Sequence, residues 1–317
     1  MDQPAESTGI IVLGMHRSGT SMTSEMVCRW GAYPGEGERF DTRVRKWNQH
    51  GQWEYLPLVG LNDDLLGALN SSWKVPPGFE ANDRLVGFAR SGLFRKRALR
   101  LLAKMKAGGS PWIWKDPRLC LLLPFWKQLW GRVIYLVPVR NPLDIATSLS
   151  KRGNVLDSVA LILWQRYMSS VIADEDVLNQ SLFFPYEEVL ELDSDVRKRI
   201  CQYLNAETGC CDKGGDDRLS AMAQAIEPEL RKNRDTSSFS SDTEGEPEQR
   251  KLYQVLIQHA HGVPCQRRIS IGMPEGWRKR LIDANLVIDK KRSWFLLRQT
   301  LRPVNRKLLP FVRQFGG

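Results

Sequence analysis

Eight consecutive residues, Gly14-Met15-His16-Arg17-Ser18-Gly19-Thr20-Ser21, set a cation and one hydroxyl between two glycines and two more hydroxyls just after them, behind an apolar run. Successive backbone N–H groups at a strand-to-helix turn form a concave anion site, and the helix N-terminus adds a favourable dipole. Gly19 lets backbone approach a phosphate closely, while Ser18, Thr20 and Ser21 supply hydroxyl donors. A nucleoside-triphosphatase loop of the form G-x-x-x-x-G-K-[S/T] would put lysine where Thr20 stands. The cation here is Arg17, three residues earlier, whose planar fork grips two oxygens at once. The missing lysine counts against an ATPase or kinase.

A second constellation follows the apolar run 132–139: Arg140, with Ser148 eight residues on. Pro142 suits the first position of a helix, so Ser148 falls almost two turns in. Its hydroxyl can then face the same anion that Arg140 would pair with. Two further clusters carry charge that chemistry can use. Lys115 sits in Trp114-Lys115-Asp116-Pro117-Arg118, and Glu36, Glu38, His50 and Glu54 follow the first loop.

The loop resembles the 5′-phosphosulfate loop of the sulfotransferases, where lysine or arginine precedes S/T-G-T/S, and looks most like the bacterial-type group bearing G-M-H-R-S-G-T-S. Arg140 and Ser148 then resemble that family's 3′-phosphate segment. Phe183-Phe184-Pro185-Tyr186-Glu187-Glu188 is similar to its Y-E-D/E segment, whose tyrosine lies by the adenine; a buried structural role is the alternative for Tyr186. The resemblance spans about residues 9 to 205. It implies a three-layer α/β/α, P-loop NTPase-like fold with a central parallel sheet. It also implies 3′-phosphoadenosine 5′-phosphosulfate (PAPS) as donor, an acceptor hydroxyl, and an in-line transfer for which no metal is required. The donor site is expected at Arg17, Ser18, Gly19, Thr20, Ser21, Arg140, Ser148 and Tyr186.

Arg17 and Lys115 are expected to support the transferred group and the leaving oxygen. Lys115 is similar to the lysine of the K-D-P segment in tyrosylprotein sulfotransferases; a structural ion pair that holds the turn among Asp116 and Arg118 is the alternative role. For the base, Asn48-Gln49-His50-Gly51-Gln52-Trp53-Glu54 looks like the group's N-x-x-G-x-W-E segment. Trp53 can desolvate the Glu54 carboxyl and raise its pKa. Glu38, whose spacing from Arg17 is similar to that of the base in tyrosylprotein sulfotransferases, stays open beside Glu36 and His50. The family's basic R-K-G closing segment is absent, and Arg231 or Arg234 can stand in for it. On resemblance alone the acceptor is a carbohydrate or glycolipid. A small-molecule kinase and a non-catalytic nucleotide-binding protein are the other readings.

The elements that must hold these residues follow from periodicity. Apolar runs predict strands over 9–14, 112–114, 132–139 and 182–186. Helices are predicted over 20–30, 84–106, 142–151 and 156–173, with a charged loop over 32–60. Strands alternating with helices argue for a parallel sheet covered on both faces. From about residue 206 the chain reads as irregular, and 236–248 has linker composition. The division is a donor-binding domain over 1–250 and a basic helical segment over 251–317, packed on or appended to it.

With 42% hydrophobic residues the chain can bury a substantial core. The net charge of +10 is unevenly placed: residues 251–317 hold 14 Lys/Arg against Glu275, Asp283 and Asp289, and the rest nearly balances. Within 293–317, apolar residues recur every three or four positions beside Arg298, Arg302 and Arg306, which fits either contact with an anionic membrane or a packed terminal helix. No nucleic-acid partner is expected. The polar N-terminus and the lack of a long apolar span predict a cytoplasmic protein, with association at the inner membrane face as a variant. Six scattered cysteines without a C-x-x-C pair predict reduced thiols and no metal cluster.

Overall fold

The computed structural model describes residues 7–35, 54–153, 155–191, 194–210, 215–226, 245–263 and 271–285. Four strands form one parallel sheet: β1 (Gly9–Val12), β2 (Trp112–Lys115), β3 (Val133–Val139) and β4 (Ser181–Pro185), in the order β2-β1-β3-β4. β1 to β3 are buried throughout, as expected of β-branched runs in a parallel sheet covered on both sides. The register sets Val12 beside Lys115 on one flank and beside Leu136 on the other.

Alternate residues of each strand feed two separate cores. Ile10 and Val12 pack with Met22, Met26 and Val27 of α1 (Thr20–Trp30) and with Ile200 and Leu204 of α10 (Asp195–Thr208). Ile11 and Leu13 belong to the larger core on the other face, with α2 (Leu56–Ala68), α3 (Asn82–Arg90), α4 (Gly92–Lys106), α5 (Leu119–Trp126), α6 (Pro142–Gly153) and α7 (Asp157–Ile172). Two short helices, α8 (Glu175–Asn179) and α9 (Tyr186–Val189), flank β4. This is the three-layer α/β/α arrangement that the alternation of elements predicts.

The chain departs from the predicted elements in three places. The helix expected over 84–106 is two helices, broken where Ser91 is extended (φ −156°, ψ 175°) and Gly92 turns at φ 87°. At about 100° per residue, the buried positions Leu85 and Ala89 of α3 would lie on the opposite side of a single helix from Ala98, Leu102 and Met105 of α4. One straight rod cannot bury both stripes. Second, the loop expected over 32–60 gives way to α2 from Leu56, whose Leu58, Leu61, Leu65 and Leu66 enter the larger core.

Third, the described residues past 206 include two helices, α11 (Gly215–Ala223) and α12 (Pro247–Ala260). The last two residues of the linker predicted over 236–248 belong to α12, and Glu246 caps that helix in a reciprocal capping box with Gln249. Leu252, Leu256 and Ala260 then join the larger core, so a boundary at 250 falls inside a packed helix. Residues 293–317 and most of 236–248 lie outside the described residues. No helix among those described is long and apolar enough to cross a membrane.

Gly92→Ala separates the two geometries by sign. At φ 87° a Cβ costs about 1 kcal/mol or more, so urea unfolding should show a less stable protein. In a continuous helix the same change would stabilise by roughly 1 kcal/mol.

Candidate functional site

β1 lies between β2 and β3, and the helices that follow β1 and β3 leave to opposite faces. α1 packs on the smaller core, while Ile145, Ala146 and Leu149 of α6 pack on the larger one. A crevice opens at the carboxyl ends of strands where such a reversal occurs, and ligands of open α/β sheets bind there. Residues 13–19 form the loop at that point.

The loop is tightly held. Leu13 N–H donates to the Leu136 carbonyl at 3.0 Å, and Gly14 N–H donates to the Cys120 Sγ at 3.2 Å. Burial pushes the Cys120 thiol up to about 12, so sulfur meets this N–H as a neutral acceptor. The Ser18 hydroxyl and backbone N–H both donate to the Met15 carbonyl, at 2.7 and 3.2 Å. A Cβ on Gly14 would lie 2.5 Å from the Ser18 Oγ. Arg17 adopts φ 72°, rare for a residue with a side chain and characteristic of constrained functional loops. His16 packs its ring 4.7 Å from Trp73 and 6.2 Å from Tyr167, filling the space behind the loop. Thr20 is buried at the first position of α1 and Ser21 is half-buried beside it.

Three groups far apart in sequence meet at Arg17. Its Nε donates to the Ser148 Oγ at 2.8 Å, across 131 residues. Arg140 Nη1 donates to the Arg17 carbonyl at 3.0 Å, and Arg140 Nη2 lies 4.0 Å from Asp144. The Arg140 guanidinium also sits 5.0 Å over the Tyr186 ring, while its buried Nε has no hydrogen-bond partner. Tyr186 presses against the loop itself: a Cβ on Gly19 would come within 2.2 Å of its ring. With Gly19 at φ 94°, glycine is required there twice over. Ser148 thus reaches the loop arginine directly, and Tyr186 serves as a wall of the loop.

On the β2 flank, Lys115 Nζ lies 2.8 Å from Glu54 Oε1, with both side chains buried. Residues expected from separate motifs are therefore one ion pair. Burial raises the Glu54 carboxyl above its ordinary value and Asp116 adds to this, while Lys115 and Arg118 act in the opposite direction. Lys115 takes Glu54, rather than Asp116, as its partner. Arg118 instead pairs with Asp116 at 3.0 Å and Asp63 at 2.6 Å, and reaches Glu54 Oε2 at 3.8 Å.

Asp116, fully buried, accepts from Arg118 and from Asn62 Nδ2 at 2.8 Å, and the Asn62 carbonyl accepts from Trp126 Nε1 at 2.8 Å. Arg118, Asp63, Asn62 and Trp126 join the site with no motif in the sequence to mark them. Their signal is tertiary, since α2 and α5 bring them together across more than fifty residues. Glu36, Glu38, His50, Arg231 and Arg234 lie outside the described residues, so the rivals to Glu54 are not placed. No cluster of three or more potential metal ligands occurs among the described residues.

No protein-family profile and no curated protein matches the chain. Among solved structures, the chain is similar to the sulfotransferase domain from the Synechococcus PCC 7002 olefin synthase, at 14% identity and a TM-score of 0.40. That match covers 80% of this chain and 96% of that one. Residue roles rest on the geometry above.

The buried network predicts its own stability cost. Asp116→Ala leaves the buried Asn62 amide without its acceptor and takes one of three carboxylates from Arg118, which keeps Asp63 and Glu54, and equilibrium urea unfolding should show a loss of about 1–3 kcal/mol. An exposed carboxylate of the same network, Asp63, should cost well under 1 kcal/mol when changed to Asn.

Proposed function

We propose that this chain is a PAPS-dependent sulfotransferase acting on an acceptor hydroxyl. The observation that carries the reading is the meeting of Arg17, Ser148 and Arg140 at the carboxyl ends of β1 and β3. Two guanidinium groups beside a glycine-flanked loop with no lysine at Thr20 suit a donor bearing phosphate at both its 5′ and 3′ positions. Arg17, Ser18, Thr20 and Ser21 would hold the phosphosulfate end, and Arg140 with Ser148 the 3′-phosphate. The buried Arg140 Nε, still without a partner, fits an anion as its acceptor.

In the transfer, the acceptor oxygen attacks sulfur while the bond from sulfur to the phosphate oxygen breaks. Glu54 takes the hydroxyl proton, and Lys115 supports the charge developing on the departing oxygen. The buried Glu54–Lys115 pair keeps both groups next to one another. Burial favours a basic carboxyl, because the charged form is poorly solvated and more avid for a proton. The acceptor class proposed is a carbohydrate or glycolipid, on the family resemblance of the loop segments.

Calorimetry without magnesium tests the donor site. Adenosine 3′,5′-bisphosphate should bind much more tightly than AMP, and Arg140→Ala should remove about 1.5–3 kcal/mol of that preference. Equal affinities for the two nucleotides would end the 3′-phosphate assignment.

Glu54→Gln should keep nucleotide affinity and slow turnover by about 10²–10⁴-fold. Because burial raises the Glu54 pKa, more of the carboxyl is protonated at a given pH, so activity should fall on the acid side above the ordinary value of 4.5. An acid limb at or below that value, or an active Glu54→Gln, would move the base elsewhere.

A further inference from the structure

Outside its C-terminal segment the chain is nearly neutral, yet that average hides a concentrated positive surface. Residues 82–106 contain eight Lys/Arg and a single acid, Asp83. Four of the eight are engaged within the fold. Arg84 donates to the Ala68 carbonyl, Arg95 to the Ala89 carbonyl and Lys106 to the Trp130 carbonyl, while Arg97 pairs with Asp64 at 2.7 Å. The other four, Arg90, Lys96, Arg100 and Lys104, are exposed and have no partner among the described residues.

Helical geometry gathers three of them. Positions 93, 96, 100 and 104 follow the i, i+3, i+7, i+11 pattern along α4, opposite its buried Ala98, Leu102 and Met105. Leu93 and Leu99 lie on or beside that outward arc and are 69% and 40% exposed. An outward face that alternates unpaired cations with bare leucines has no use for water alone. The cations call for an anionic partner, and the leucines call for one with an apolar interior beneath its charge. A soluble polyanion would satisfy only the first.

We propose that α4 is a docking surface for an anionic phospholipid membrane, with Lys96, Arg100 and Lys104 at the headgroups and Leu93 and Leu99 entering the acyl boundary. The surface is distinct from the donor crevice and does not depend on the reaction assigned to it. It is also separate in sequence from the basic segment 293–317.

Cosedimentation of the full chain with vesicles tests it. Phosphatidylcholine vesicles containing phosphatidylserine should bind the protein, and pure phosphatidylcholine should not. Binding should weaken as salt rises, since screening acts on the headgroup contacts. The triple change K96E/R100E/K104E should weaken binding by on the order of 100-fold or more. L93S/L99S should remove the portion that survives high salt. All these side chains are solvent-exposed, so unfolding curves should stay near those of the parent; K96Q/R100Q/K104Q serves if charge reversal disturbs them. Absence of vesicle binding by the full chain would overturn the proposal. So would undiminished binding by the triple variant, which would assign the contact to another segment such as 293–317. Competition by a soluble polyanion together with undiminished binding by L93S/L99S would also overturn it, in favour of a purely electrostatic face.

Discussion

Val12 is paired on both sides, with Lys115 across one edge of β1 and Leu136 across the other. Most of the site depends on this double pairing. A parallel neighbour on each flank requires two crossover connections, and the helices after β1 and β3 end up on opposite faces. The loop 13–19 is left in the gap between them, at the start of α1. β2 delivers Lys115 to one side of that gap, and β3 delivers Arg140 to the other. If β1 were an edge strand, one of those cations would have no place beside the loop.

The loop is rigid because its back is packed rather than solvated. Cys120 sits beneath Gly14, His16 is held between Trp73 and Tyr167, and Tyr186 covers Gly19. Trp73 is itself tied down, since its carbonyl accepts from the Tyr167 hydroxyl at 3.0 Å. Behind Tyr167, the buried Arg166 donates to the Pro77 carbonyl and lies 4.1 Å from the Phe79 ring, so α7 anchors the whole 73–79 stretch. Fixing donors before a ligand arrives avoids reorganisation when charge develops, which is the physical advantage of such packing.

Charge is handled differently in the interior and on the surface. Inside, Lys115, Glu54, Arg118 and Asp116 alternate in sign, so that each buried ion faces an opposite partner, and the exposed Asp63 caps the outer end at Arg118. Desolvation makes an isolated ion there costly, and the alternation offsets it. On α4 the reverse holds: like charges stand together in water, where screening makes their repulsion small and leaves them available to an anionic surface.

Local patterns in the sequence specify a good deal of this. The apolar runs, the Gly14-to-Ser21 loop and Pro142 place the four strands and the helices that follow β1 and β3 within a residue or two, because strand burial and helix starts are decided by neighbours in the chain. The break at Ser91-Gly92 was also legible in principle, since the buried stripes of α3 and α4 are out of phase. A uniform basic composition concealed it. Other features required the fold. Nothing local says that Glu54 closes on Lys115 sixty-one residues away, that Ser148 meets Arg17 across 131, or that Tyr186 leaves no room for a Cβ at Gly19. Those contacts depend on which strands are neighbours and which face each helix takes. Hydrophobic periodicity records that a residue is buried; the strand order decides what it is buried against.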